Sequence, residues 1–260
     1  MKPCTFTIFT KYKKNSYQVI SRLCNSLMLK GFQYRDKDPD LIVVLGGDGS
    51  LLRAFQDFKF KGNFVLINTG HLGFYSDYPD GDIDSLARDI EKNECSKEKI
   101  PLYEALYEGK THYFTNDIVL QSSRSLAFDI LVNGELLTKT RSTGIVIGSS
   151  IASTGYLSSL GSPLAVGNMK AYQYALIAPV FNRLYPNTVS KALIRDEDSL
   201  LVNVQSGHAR ASLDGIDIGS CNSDKLEVRK AVDKFVTLIH FRPVSPVERI
   251  KRSLTVSKEE

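Results

Sequence analysis

The run Leu41-Ile42-Val43-Val44-Leu45 passes without a polar break into Gly46-Gly47-Asp48-Gly49-Ser50. No other segment constrains the chain as strongly. An uninterrupted, β-branched stretch of this kind belongs to a strand covered on both faces, as in a parallel sheet flanked by helices. Behind the glycines, Leu51, Leu52, Ala54 and Phe55 fall at helical spacing. The order strand, glycine-rich loop, helix leaves backbone N–H groups at a helix N-terminus and lets a phosphate chain come close. An aspartate in such a loop would repel phosphate unless it binds a metal or takes a proton from an attacking hydroxyl. Asp48 is therefore the catalytic candidate, with Gly49 beside it in the binding loop. The competing structural reading makes Asp48 the N-cap of a tight strand-to-helix turn.

The flanking segments repeat the same alternation. Thr5 to Thr10 is a short β-rich run, followed by a helix with Val19, Leu23 and Leu27 on one face. Asn15 or Ser16 would cap that helix at its start, and Gly31 would take the left-handed conformation past its end. Phe64-Val65-Leu66-Ile67 makes another buried strand, and Ile83, Leu86, Ala87 and Ile90 mark a helix between Asp82 and Asn93. From about Ile100 strands dominate: 103–107, 113–120, then 128–132 joined to Leu136-Leu137 through Asn133-Gly134, a pair that favours a type I′ turn. Later candidates are 201–213 and 226–241. The expected fold is an α/β N-terminal lobe with a parallel, Rossmann-like sheet plus a mostly antiparallel β-rich C-terminal lobe. The expected division is 1–98, 99–240, and a tail, 241–260, packing on the first lobe.

Composition excludes several classes. No apolar run in the 260 residues approaches the roughly 20 needed to cross a bilayer. The N-terminus carries no apolar core followed by a small-residue cleavage site, so a cytoplasmic protein is expected. Cys4, Cys24, Cys95 and Cys221 are scattered, with no Cys-x-x-Cys pair and no His at ligand spacing. Neither a disulfide framework nor a metal site held by the protein is expected. The net charge of +4 suits an anionic ligand. The basic residues are spread without interleaved aromatics, so nucleic acid is not an expected partner.

Gly-Gly-Asp-Gly loops resemble those of phosphofructokinases, of diacylglycerol and sphingosine kinases, and of NAD kinases. The segment Gly70-His71-Leu72-Gly73-Phe74 discriminates, because it resembles one that NAD kinases carry shortly after that loop. Thr115-Asn116-Asp117 is similar to their Asn-Glu motif. The stretch 152–163 is similar to their Thr-Gly-Ser-Thr-Ala-Tyr segment and the Gly-Gly-Pro beyond it, and Ile239 to Arg249 looks like the end of the short bacterial members. The chain thus resembles the NAD kinase family over essentially its whole length.

That resemblance implies an NAD kinase-like fold and transfer of the γ-phosphate of ATP, with Mg²⁺ or another divalent cation, to the 2′-hydroxyl of the adenosine ribose of NAD. Polyphosphate is the other donor the family uses. The implied substrate-binding residues are Gly49, Asn116, Asp117, Arg141, Thr154, Gly155, Tyr156, Leu157, Ser158, Ser159, Ala178 and Asp214. Ala178 matches a position that holds nucleotide bound to a neighbouring subunit, so a homodimer or homotetramer is implied. Their chemistry is apt: Asn116 can donate and accept, Asp117 can accept from two sugar hydroxyls, and Tyr156 offers a face for stacking. His71 is either a ligand contact or a hydrogen-bonded loop residue, and Asp214-Gly215 read alone is a turn. The chain departs from the family pattern at Asp117, where the family has Glu, at Thr143, where it has Asp, and along Ile151 to Gly155. The readings kept beside NAD kinase are a kinase of the same fold acting on another nucleoside, nucleotide or sugar, and a nucleotide-binding homologue without turnover.

Overall fold

The structure is a computed structural model that describes residues 4–11, 17–69, 73–78, 82–167, 169–186, 188–221 and 225–254. In chain order its first elements are β1 (Thr5–Thr10), α1 (Tyr17–Leu29), β2 (Gln33–Tyr34), β3 (Leu41–Leu45), α2 (Asp48–Asp57), β4 (Asn63–Ile67) and α3 (Ile83–Lys92). There follow β5 (Ser96–Tyr107), β6 (Lys110–Phe114), β7 (Asp117–Val132) and β8 (Glu135–Ser149), a 3-10 turn at Ser150–Thr154, and the one-turn α4 (Tyr156–Ser159). The remainder is β9 (Ala171–Ile177), β10 (Lys191–Arg195), β11 (Leu200–Ser206), β12 (Ala209–Leu213), β13 (Ile216–Cys221), β14 (Lys225–His240) and α5 (Pro246–Leu254). The chain divides into two compact units, 1–100 with 235–260, and 101–234. Residues 235–240, grouped by sequence with the β-rich lobe, thus fall in the first unit.

The first unit is built on parallel strands in the order β14, β4, β3, β1, β2. Side chains alternate along each strand, so each strand supplies both faces. Phe6, Leu41, Val43, Leu45, Val65 and Ile67 meet Leu23 and Leu27 of α1 and Ile83, Leu86 and Ile90 of α3. On the other face α2 packs its aromatics: Phe55 meets Phe64 edge-on at 4.8 Å between centroids, and Phe58 meets both Phe9 and Phe64. Such an edge-to-face pair adds about 0.5–1.5 kcal/mol beyond the area it buries. With α1 and α3 on one face and α2 on the other, the loop between β3 and α2 lies at the carboxyl end of the sheet, where open α/β sheets bind ligands. Gly31 is left-handed past α1, and Asn93 is left-handed at the end of α3. The expected caps Asn15 and Ser16 lie outside the described residues.

The second unit is antiparallel, in the order β10, β9, β8, β7, β11, β14, with β12 and β13 attached through β7 and β5 paired with β6. Its core gathers Tyr103, Phe114, Ile118, Phe128, Ile145, Tyr172, Tyr174 and Leu226 among others. The β7–β8 hairpin turns at Asn133-Gly134, both with positive φ, as a type I′ turn requires. Several strand boundaries differ from the sequence expectation. The run expected at 113–120 is broken at Thr115-Asn116, and the run expected at 201–213 is two strands, β11 and β12.

Candidate active site

In the first unit the site begins at Gly46. Its φ is +147°, and a Cβ there would lie 2.2 Å from Ser50 Oγ, so the tight turn admits only glycine. Gly46 N–H donates to the Ile67 carbonyl at 3.0 Å, which ties the loop to β4. Gly47 is the residue before α2 and makes no side-chain cap. Asp48 is the first helical residue and not the cap. Its carboxylate instead crosses to another loop: Oδ2 accepts the N–H of Phe74 at 3.0 Å and Oδ1 that of Tyr75 at 3.2 Å. Burial pushes the Asp48 carboxyl up, against the pull of those two N–H groups and of the Arg249 charge. The net result is a carboxylate more basic than usual, which suits a proton acceptor. Gly49 is exposed, and a Cβ built on it would touch nothing within 4 Å. Ser50 N–H donates back to the Gly47 carbonyl at 2.9 Å, but the leading N–H groups of a helix have no carbonyl within it to reach, so the start of α2 can receive phosphate oxygens. Gly70, His71 and Leu72 lie outside the described residues.

The loop that meets Asp48 is itself tied down. Ser76 Oγ donates to the Tyr78 carbonyl and accepts the N–H of Asn68. Asp77 is buried and lies 3.0 Å from His240 Nδ1. Tyr78 donates its hydroxyl to Asp89, which also accepts Arg242 Nε.

In the second unit the centre is Asp214. It is the first residue of the two-residue turn between β12 and β13, with φ of +48° followed by Gly215 at +75°. The turn read from sequence is therefore present, and its carboxylate does more. Oδ1 accepts the N–H groups of Asn116 (2.8 Å) and Asp117 (3.2 Å), while Oδ2 accepts Thr115 N–H (3.1 Å) and Oγ1 (3.3 Å). This grip occupies the donors that would otherwise continue β6 into β7, which explains the break at Thr115-Asn116. Ser149 closes the other side, its Oγ donating to the Thr115 carbonyl and its N–H to that of Asn116.

Asn116 Nδ2 donates to Asp117 Oδ2 at 2.9 Å. Asp117 is buried beside Asp214, and burial first, then that neighbouring charge, pushes its carboxyl up to about 7. Asp117 pairs with Gly148 across the hairpin. A Cβ on Gly148 would lie 2.7 Å from Ala152, 2.8 Å from Leu157 and 3.1 Å from the Asn116 carbonyl. That glycine lets the 150–159 segment sit close to Asn116.

Within that segment Thr154 and Ser158 are half-buried, and Gly155, Tyr156 and Ser159 are exposed. Leu157 points inward against Val119, Val146, Ala152 and Ala175. Its side chain belongs to the core, which leaves its backbone as the part that can face a ligand. Arg141 and Ala178 form a second group. Arg141 pairs with Ala127, roughly 20 Å along β8 from Gly148 at the usual rise per residue. Its Nη2 donates to the Ser125 carbonyl, and its own carbonyl accepts Val180 N–H at 2.7 Å. Thr143 donates to the Ile177 carbonyl, and Ala178 is exposed with φ of +48°. Thr115, Ser149 and Gly148, and the Phe74 and Tyr75 N–H groups, were not among the residues singled out by sequence. The quoted motifs contained or adjoined most of them, but their roles are main-chain roles that no motif reports.

Comparison with known proteins agrees with this architecture. A family model described as the ATP-NAD kinase N-terminal domain matches residues 8–95. A protein from Streptococcus gordonii named NAD kinase is 31% identical over 202 residues, 74% of each chain. One from Staphylococcus epidermidis with the same name is 29% identical over 270 aligned residues, 98% of this chain and 99% of its own. Among solved structures, yeast NADH kinase complexed with NADH superposes with a TM-score of 0.84 at 17% identity, covering 100% of this chain and 89% of that one. An NAD kinase from Archaeoglobus fulgidus in complex with ATP gives 0.76 at 20% identity, covering 95% and 99%. The two structures share the fold, and the Streptococcus relative carries the kinship in sequence. The chain belongs to the NAD kinase family.

Proposed function

We propose that this protein transfers the γ-phosphate of ATP to the 2′-hydroxyl of the adenosine ribose of NAD, forming NADP and ADP, with Asp48 as the general base. The observation that carries the reading is the Asp48 carboxylate at the open first turn of α2, made more basic by burial and oriented by two main-chain donors. In the transfer the ribose 2′-oxygen forms its bond to the γ-phosphorus as the bond to the β-phosphate oxygen breaks, and the hydroxyl proton passes to Asp48. Phosphoryl transfer asks a protein mainly for positioning and charge stabilisation. Gly49 and the first turn of α2 receive phosphate oxygens. Asn116, Asp117 and Tyr156, with Thr154, Gly155, Ser158, Ser159 and the Leu157 backbone, hold the acceptor. Asp214 keeps Asn116 and Asp117 in place.

Mg²⁺ or another divalent cation, when bound with ATP, would supply positive charge against the phosphates. The described residues bring no three His, Cys, Asp or Glu side chains together to hold one. By family resemblance, Arg141 binds substrate, Ala178 holds nucleotide from a neighbouring subunit, and the protein forms a homodimer or homotetramer. No described helix is long and apolar enough to cross a membrane.

The test is an assay of purified protein with ATP, Mg²⁺ and NAD, following NADP. Wild type forms NADP, and Asp48→Asn lowers the rate by about 100-fold or more while ATP and NAD still bind. No NADP from a protein that binds ATP tightly would exclude NAD as acceptor, and an unchanged rate in D48N would exclude Asp48 as the base.

A further inference from the structure

The C-terminal helix brings one guanidinium back into the first unit. Arg249 of α5 donates through Nη1 to Glu98 Oε2 at 2.9 Å, and its Nη2 lies 3.1 Å from His240 Nε2. The side chain is only 12% exposed, whereas Arg252, one turn on, makes an ordinary i,i+4 pair with Glu248 at 50% exposure. His240 is sandwiched between acids, Nδ1 at 3.0 Å from Asp77 and Nε2 at 2.8 Å from Glu98. Burial opposes charge on this imidazole, but the two carboxylates outweigh it and raise its pKa. Glu98 is correspondingly held down at about 2, the His240 and Arg249 charges overcoming its burial. Two carboxylates, an imidazole and a guanidinium thus meet in a partly dry cluster, where charges persist only when paired.

This cluster adjoins the reacting loop through Asp77. Asp77 lies two residues after Tyr75, whose N–H, with that of Phe74, orients Asp48. The Arg249 charge also acts on Asp48 directly, drawing its carboxyl down against burial. A bridge needed only to dock α5 would be complete with Glu98. Here the same guanidinium is joined through Glu98 and His240 to Asp77, two residues from the Tyr75 N–H that holds Asp48. A buried base must be basic enough to take a proton and still be ionised when substrate arrives. Burial meets the first demand and a fixed cation nearby the second, and a long flexible side chain supplies that cation only when its rotamers are restrained.

We infer that Arg249 is a positioning residue for Asp48, held beside the reacting loop by Glu98. The inference rests on Asp48 being the reacting carboxylate. The experiment is steady-state kinetics across pH on Arg249→Gln and Arg249→Lys, with Asp48→Asn alongside.

R249Q is expected to lower kcat by about 10-fold or more, with KM for NAD and ATP changed far less, and to move the acid limb of kcat upward in pH. R249K, which keeps the charge, is expected to return the acid limb toward wild type. If R249Q does not accumulate as folded protein, Glu98→Gln, which releases the guanidinium, is expected to lower kcat and shift the same limb. A loss of melting temperature with kcat and acid limb unchanged, in R249Q or in its E98Q stand-in, would reduce Arg249 to a helix-docking residue. That outcome with D48N inactive removes this inference alone. An active D48N removes the reading beneath it.

Discussion

Asp214 Oδ1 accepts the main-chain N–H of Asn116 at 2.8 Å across 98 residues of sequence. The contact turns a hairpin turn into a clamp. A carboxylate suits this place because it accepts three N–H groups and one hydroxyl. Asparagine would present an NH₂ to some of those donors and leave them unmet. Asp214→Asn is therefore expected to destabilise the protein by about 2–4 kcal/mol, since buried charge-assisted networks lose more than one hydrogen bond when broken. Urea denaturation measures this. The same variant should bind NAD more weakly while its affinity for ATP changes little, measured by calorimetry. Equal weakening for both nucleotides would show that Asp214 does not act on the acceptor residues in particular.

Asp117 gives a pH dependence of known sign. Its folded-state pKa is raised to about 7 by burial and by Asp214, so the folded protein holds a proton that the unfolded chain releases near pH 4. The resulting penalty is absent below the unfolded value, grows as pH rises through that window, and is complete above about 7. Relative to wild type, Asp117→Asn, being neutral throughout, should gain stability by an amount that climbs between about pH 4 and 7 and then levels, at most about 4 kcal/mol. Its KM for NAD should rise, because the acceptor then loses a carboxylate for its ribose hydroxyls. A stability difference independent of pH would refute the raised carboxyl.

The two glycines flanking Gly47-Asp48 should part company. Gly46→Ala forces a left-handed φ on a side chain and drives a Cβ into Ser50, with an expected cost of about 2–4 kcal/mol. Gly49→Ala enters open space at the start of a helix, so the melting temperature should hold or rise by a few degrees, given the roughly 1 kcal/mol helix preference of alanine. Turnover should nevertheless fall in G49A, because the methyl occupies space proposed for phosphate. A fully active G49A would place the phosphates elsewhere.

Much of the fold was legible because it is written in local patterns. The β-branched run Leu41 to Leu45, the helical spacing of Leu23 and Leu27, and the Asn133-Gly134 turn each state their conformation within a few residues. β9 escaped that reading. Its residues Tyr172 to Leu176 are all buried, so the alternation that marks a half-exposed strand is missing. The Thr115-Asn116 break escaped for another reason: the sequence there continues as a strand, and only a distant carboxylate interrupts it.

The same division runs through the site. Sequence alone determined the strand–loop–helix that presents Asp48 and the motifs containing Asn116 and Asp117, since a loop of this composition after such a strand has few alternatives. Tertiary structure alone decided what each carboxylate does. Asp48 is aimed by Phe74 and Tyr75, Asp214 grips 115–117, and Glu98 meets His240 and Arg249. Hydrogen bonds and charges act over a few ångströms whatever the separation along the chain, so their partners are fixed only when folding brings residues 26 to 151 positions apart into contact.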